Sequence, residues 1–107
     1  MEEQLNKVEL LGTVGSISIT KVGYGRIARF SLATNYCYKS IDGIPVIETT
    51  WHTCVVSEGP KVDLDKIQKG YKVKLSGRLR AQRYVDQNGQ DRQCFEVIVS
   101  ELTGLNE

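Results

Sequence analysis

Tyr71-Lys72-Val73-Lys74-Leu75-Ser76-Gly77-Arg78-Leu79-Arg80 is the stretch from which the rest of the chain is read. Tyr71, Val73, Leu75, Gly77 and Leu79 alternate without a break with Lys72, Lys74, Ser76, Arg78 and Arg80. Successive side chains of a β-strand point to opposite faces, so this period of two puts a core-facing row on one side and a basic row on the other. A basic row predicts an anionic partner or a solvated surface. If the strand continues without a bulge, Gln82 and Tyr84 join the basic face. Asp86-Gln87-Asn88-Gly89 then turns the chain into a last strand, Asn-Gly being a favoured hairpin step. In that strand Phe95, Val97 and Val99 share one face, and Ile98 on the other predicts that something covers part of it.

Working back from residue 71, Asp63 caps a short helix over about 64–69, with Leu64 and Ile67 on one side and Gly70 at its stop. Residues 7–34 hold short β-branched apolar runs interrupted at Gly12, Gly15, Gly23 and Gly25, which reads as strands joined by turns, with a hairpin tip at Gly23-Tyr24-Gly25. Over residues 26–34, Ala28, Phe30 and Leu32 alternate with Arg29 and Ser31. Residues 36–40, a turn at Ile41-Asp42-Gly43 and residues 44–56 form another pair, with Pro45 at its edge.

Three strands, one helix and two strands in 107 residues predict a single all-β domain over 1–107, a five-stranded Greek-key barrel of the OB type spanning about 5–102. The helix falls between strands three and four. An SH3-like barrel competes, but it does not usually place a helix there.

The net charge of +1 hides a sorting. Seven cations between Asp65 and Asp86 (Lys66, Lys69, Lys72, Lys74, Arg78, Arg80, Arg83) and four between Leu10 and Ile41 (Lys21, Arg26, Arg29, Lys39) stand in acid-free stretches; these hold +11 and the remainder −10. Segregation of this kind predicts a local anionic partner. The barrel's basic face is expected to contain no carboxylate. No nucleophile with a base, carboxylate cluster or metal-ligand spacing emerges, so no enzyme activity, cofactor or metal is expected. Cys37, Cys54 and Cys94, 17 and 40 residues apart, indicate neither a disulfide framework nor a zinc site. No signal-type or membrane-spanning run is seen, which predicts a cytoplasmic protein.

OB barrels that hold single strands combine cations along the phosphates with rings under the bases. Tyr84 follows Arg78, Arg80 and Arg83; Tyr36 and Tyr38 precede Lys39. Trp51 shares a face with Thr49 and Thr53, too polar a row for a core, although the lone tryptophan of a small domain is often buried. His52 points the other way and reads as a hydrogen-bonded structural or interface residue. The stacking candidates are Tyr38, Trp51 and Tyr84; the phosphate candidates are Lys72, Lys74, Arg78, Arg80 and Arg83. Tyr24, Arg29, Tyr36 and Lys39 are further candidates.

Asn6-Lys7-Val8 leading to Leu11-Gly12, then Phe30-Ser31-Leu32-Ala33-Thr34, resembles the start of the bacterial single-stranded DNA-binding protein family. Thr50-Trp51-His52 before Val55-Val56 is similar to that family's Trp-His strand. Lys69-Gly70 through Gly77-Arg78-Leu79-Arg80 resembles its fourth strand, and residues 86–92 its final hairpin. The resemblance implies a homotetramer that wraps single-stranded DNA without sequence preference in replication, recombination or repair. The family's aromatic positions fall at Tyr38, Trp51 and Tyr84, and its subunit contact falls at His52. A further family aromatic falls at about Ser57, and the family's acidic C-terminal tip has no counterpart after Leu105, so tail-mediated partners are not expected. The competing expectation is a dimeric, primosomal-type OB module that bridges replication proteins.

Overall fold

The computed structural model describes residues 2–105; the outermost positions of the expected 1–107 span lie outside them. Strands β1 (Val8–Val22), β2 (Gly25–Lys39), β3 (Pro45–Ser57), β4 (Lys72–Val85) and β5 (Asp91–Gly104) close a barrel in the order β1-β2-β3-β5-β4. All ladders are antiparallel except β3–β5, which is parallel and only three rungs long, Cys54–Val56 against Val97–Val99. This is the expected OB barrel.

The alternation read from residues 71–80 holds where the barrel closes. Val73 and Leu75 on β4 and Ala28, Phe30 and Leu32 on β2 point inward and are buried, together with Val14, Val56, Val97 and Val99. The three hairpin turns form where the sequence places them: Gly23, Gly43 and Gly89 take positive φ, and Pro45 opens β3, where its missing N–H breaks no interior ladder bond. In the last hairpin the Asp86 carboxylate accepts from the backbone N–H of Asn88 and Gln90 and from Arg92, which together hold its pKa below the ordinary carboxylate range.

Three expectations need correction. The helix over 64–69 is a single 3-10 turn, Leu64–Lys66, capped by Asp63, whose carboxylate accepts from the Asp65 N–H at 2.9 Å. Leu64 and Ile67 are three residues apart and both buried. A 3-10 turn eclipses positions i and i+3, so one turn seats both at the barrel end and the chain returns to extended backbone at Ile67. Gly12 and Gly15 are not turns but lie inside β1: a Cβ on Gly12 would sit 2.2 Å from the Ala33 carbonyl oxygen, and one on Gly15 would sit 2.5 Å from the Trp51 ring. They mark close approach rather than reversal. Finally, residues 25–39 are one continuous strand, with no break between 34 and 36.

Beyond the closed wall, two pairs of strands run on as two-stranded ribbons. β2 past Ala33 pairs only with β3, and β4 past Gly77 pairs only with β5, apart from the side chain of Asn6. That amide accepts from Leu79 N–H at 2.9 Å and donates to its carbonyl at 2.7 Å, imitating one more backbone rung. The ribbons diverge where the short β3–β5 ladder ends, at Cys54 and Val97.

Candidate nucleic-acid interface

Strand register decides which candidates share a face. On the outer wall β2 contributes Arg29, Ser31 and Ala33, opposite Val55, Thr53 and Trp51 of β3. β4 contributes Arg78, Arg80, Gln82 and Tyr84, opposite Ile98, Glu96, Cys94 and Arg92 of β5. Trp51 and Tyr84, 61% and 51% exposed, therefore stand on the same outer side of the molecule, one on each ribbon.

Trp51 is held by a local irregularity. Between Val14 and Ile17, β1 carries an extra residue against β2, and the bulge is pinned by the Ser16 N–H donating to Ser31 Oγ at 2.9 Å. Gly15, at the bulge, has no side chain, and the tryptophan ring settles onto its bare Cα. The alternative of a tryptophan buried in the barrel is excluded by its exposure. Beside the bulge, Ser16, Ser18, Ser31 and Thr53 with Arg29 line a shallow cavity of about 310 Å³, whose hydroxyls can donate to an anion or a sugar. Sequence reading passed over these hydroxyls, although small polar residues on the same face of three adjacent strands were there to be aligned.

The cations divide. Arg78 makes no ion pair among the described residues. Arg80 and Arg29 both pair with Glu96: Arg80 Nη2 lies 2.5 Å from Oε1 and Arg29 Nη1 lies 2.8 Å from Oε2. The expectation of a basic face without a carboxylate is thus wrong. Glu96 sits within it at 1% exposure, its pKa lowered chiefly by the hydrogen bond from Arg80 and then by Arg29. Its signal was present in the sequence as one acid inside Phe95-Glu96-Val97-Ile98-Val99. Lys72 and Lys74 extend the same row of β4 onto the barrel wall, where Lys74 shares a cavity with Glu9 and Glu101 and so faces mixed charge. Arg83 is out of step with Arg80 and Tyr84 and belongs to the opposite face of its ribbon.

Tyr36 and Tyr38 are paired across from Glu48 and Val46 in an uninterrupted ladder, which places them on the face opposite Trp51. Their rings are tilted by 31° with centroids 6.0 Å apart. Lys39 lies at the ribbon end opposite Pro45, and Tyr24 is fully exposed at the β1–β2 tip. His52, half-buried in the row of Leu32 and Thr34, has its Nε2 2.8 Å from Thr34 Oγ1, and burial lowers its pKa. The hydrogen bond expected of it is present. Among the described residues no group of three or more His, Cys, Asp or Glu converges as for a metal ion, and no helix is long and apolar enough to cross a membrane.

A closed OB barrel whose outer wall exposes rings and guanidinium groups on two projecting ribbons defines the structural class. The model of the single-strand binding protein family matches residues 5–105, and the chain belongs to that family. It is 32% identical over its whole length to 80% of a mitochondrial single-stranded DNA-binding protein of Danio rerio. Over 99% of its length it is 37% identical to a single-stranded DNA-binding protein of Rhizobium meliloti, of which it spans 62%. Among solved structures it superposes on a Plasmodium falciparum SSB in complex with ssDNA with a TM-score of 0.85 and 35% identity, 99% of each chain being covered. A small single-stranded DNA-binding protein of Streptomyces coelicolor, 20% identical, shares the fold with a TM-score of 0.73, covering 97% of this chain and 95% of that one.

Proposed function

We propose that the protein is a non-enzymatic, single-domain binder of single-stranded DNA that holds the strand without reading its sequence. Bases stack on Trp51 and Tyr84, and phosphates lie along Arg29, Arg78 and Arg80, with the serine and threonine hydroxyls beside Arg29 as further contacts. Lys72, Lys74 and Arg83 take up phosphates farther along the strand. Tyr38, with Tyr36, Tyr24 and Lys39, engages a strand that passes around the edge of the β2–β3 ribbon. The observation that carries the reading is the exposed Trp51 ring seated on Gly15, on the same outer side as Arg29, Arg78 and Arg80. Stacking is worth roughly 1–3 kcal/mol per base and tolerates any base, because every base has a π-face.

Family membership supports a homotetramer with His52 near a subunit contact, acting in replication, recombination and repair. The three free cysteines accord with a reducing compartment such as the bacterial cytoplasm. Titrating oligo(dT) while following Trp51 fluorescence tests the binding. Quenching is expected, with log K falling by about 0.7 per unit log salt for each phosphate contact. No quenching together with no mobility shift at low salt would remove the proposal, and light scattering that gave a monomer would remove the tetramer.

A further inference from the structure

Glu96 occupies a particular place in the topology. It is the last residue of β5 before the three-rung ladder to β3, so it stands at the fork where the two ribbons part. From there its carboxylate holds Arg80 of β4, directly opposite, and Arg29 of β2, which reaches across β3. One buried side chain therefore ties the base of the β4–β5 ribbon to the part of β2 in the closed wall that leads into the β2–β3 ribbon.

The donors are also divided in a useful way. Each guanidinium carries five N–H donors in a rigid plane. Arg29 gives Glu96 only Nη1 and Arg80 only Nη2, and both side chains stay about half exposed, at 56% and 44%. The remaining edges of two forks, fixed in orientation, face solvent on the wall that carries Trp51 and Tyr84. A carboxylate at 1% exposure is not in position to meet a phosphate itself, but it can hold the groups that do.

We infer that Glu96 is a positioning residue for DNA binding: it sets the angle between the two ribbons and presents Arg29 and Arg80 as a preorganised pair of phosphate forks. The inference rests on the single-stranded DNA reading for its effect on affinity, but not for its effect on ribbon geometry. It makes a prediction opposite in sign to simple electrostatics. Glu96→Gln makes the face one unit more positive, which by charge alone strengthens binding to a polyanion. Loss of a fixed geometry weakens it instead, because ordering the arginines and ribbons is then deferred to the moment of binding.

The experiment has two arms. In the first, spin labels on Cys37 of the β2–β3 ribbon and on Gln87→Cys in the β4–β5 turn, in a Cys94→Ser background diluted with unlabelled protein, report the distance between ribbons. Cys54 is buried and does not compete for label. The distance distribution is expected to broaden in Glu96→Gln; an unchanged width overturns the inference. In the second arm, unlabelled Glu96→Gln is expected to bind oligo(dT) several-fold more weakly than the parent in moderate salt; equal or tighter binding overturns it. Arg29→Lys and Arg80→Lys keep every charge but replace the planar fork by a point charge, and the same weakening is expected of each. They keep the test decisive where Glu96→Gln fails to fold, and parent-like affinity of both overturns the inference. If the parent itself does not bind oligo(dT), the functional reading fails while the distance arm still decides the clasp.

Discussion

Phe30 and Leu32 stand in the same row of β2 as Tyr36 and Tyr38, yet the first two are 2% and 0% exposed and the last two 68% and 45%. β4 repeats the contrast: Val73 and Leu75 are buried, whereas Leu79 and Val85, farther along the same row, are 44% and 65% exposed. What separates the halves is the number of strands behind them. Up to Ala33, β2 lies between β1 and β3 in a closed wall; beyond it only β3 remains. The same period-two pattern therefore builds a core in one half of a strand and a bare two-sided ribbon in the other, so that the ribbon halves expose a row of side chains that the barrel halves bury.

The largest effect expected from this contrast is on stability. Phe30→Ala should lose about 3–5 kcal/mol in urea denaturation, the usual range for emptying a buried aromatic site. Tyr36→Ala, in the same row, should lose under about 1 kcal/mol, as exposed substitutions do. Equal losses would mean that the ribbon belongs to the core. Next comes binding: Trp51→Ala should weaken oligo(dT) affinity by about 1–3 kcal/mol with little change in melting. Tyr38→Ala, on the reverse face, should weaken it less, and a loss as large as that of Trp51→Ala would show that the strand engages both faces equally. Smaller still is the change in salt dependence. Arg78→Ala should flatten the log K against log salt slope by about 0.7, and Lys74→Ala, whose cavity is also lined by Glu9 and Glu101, by less.

Two finer tests probe the fork and the wall chemically. The arginines lower the Glu96 pKa in the folded protein, so its contribution to stability is fully present above the ordinary glutamate pKa of about 4.3 and is lost as pH falls through the lower folded value. Acid unfolding of Glu96→Gln should show a weaker pH dependence in that window than the parent. A thiol reagent should modify Cys37 and Cys94 in the native protein but Cys54 only on unfolding, since burial pushes the Cys54 thiol up to about 12. Reaction of Cys54 at the native rate would show that the barrel opens readily beside the fork.

Much of the barrel was legible because its signals are local. Alternation over residues 71–80, the Asp-Gly and Asn-Gly turns and the Asp63 cap each act within a few residues, and each forms where it was read. The helix came out shorter because spacing two apolar residues by three positions suits a single 3-10 turn as well as an α-helix. The glycines at 12 and 15 were misread as turns because their role depends on partners far along the chain, a carbonyl at Ala33 and a ring at Trp51.

The sequence by itself determined the strands, their inward rows and the supply of rings and cations, since side-chain period and turn chemistry are properties of the chain. Tertiary structure alone decided which of those rings share a face and where the wall ends in ribbons. It also decided that Glu96, 67 residues from Arg29 and 16 from Arg80, closes the fork between them. Register sets the first of these and barrel closure the second. The third follows from a three-rung parallel ladder that brings β5 beside β3, a pairing between distant segments that no local pattern encodes.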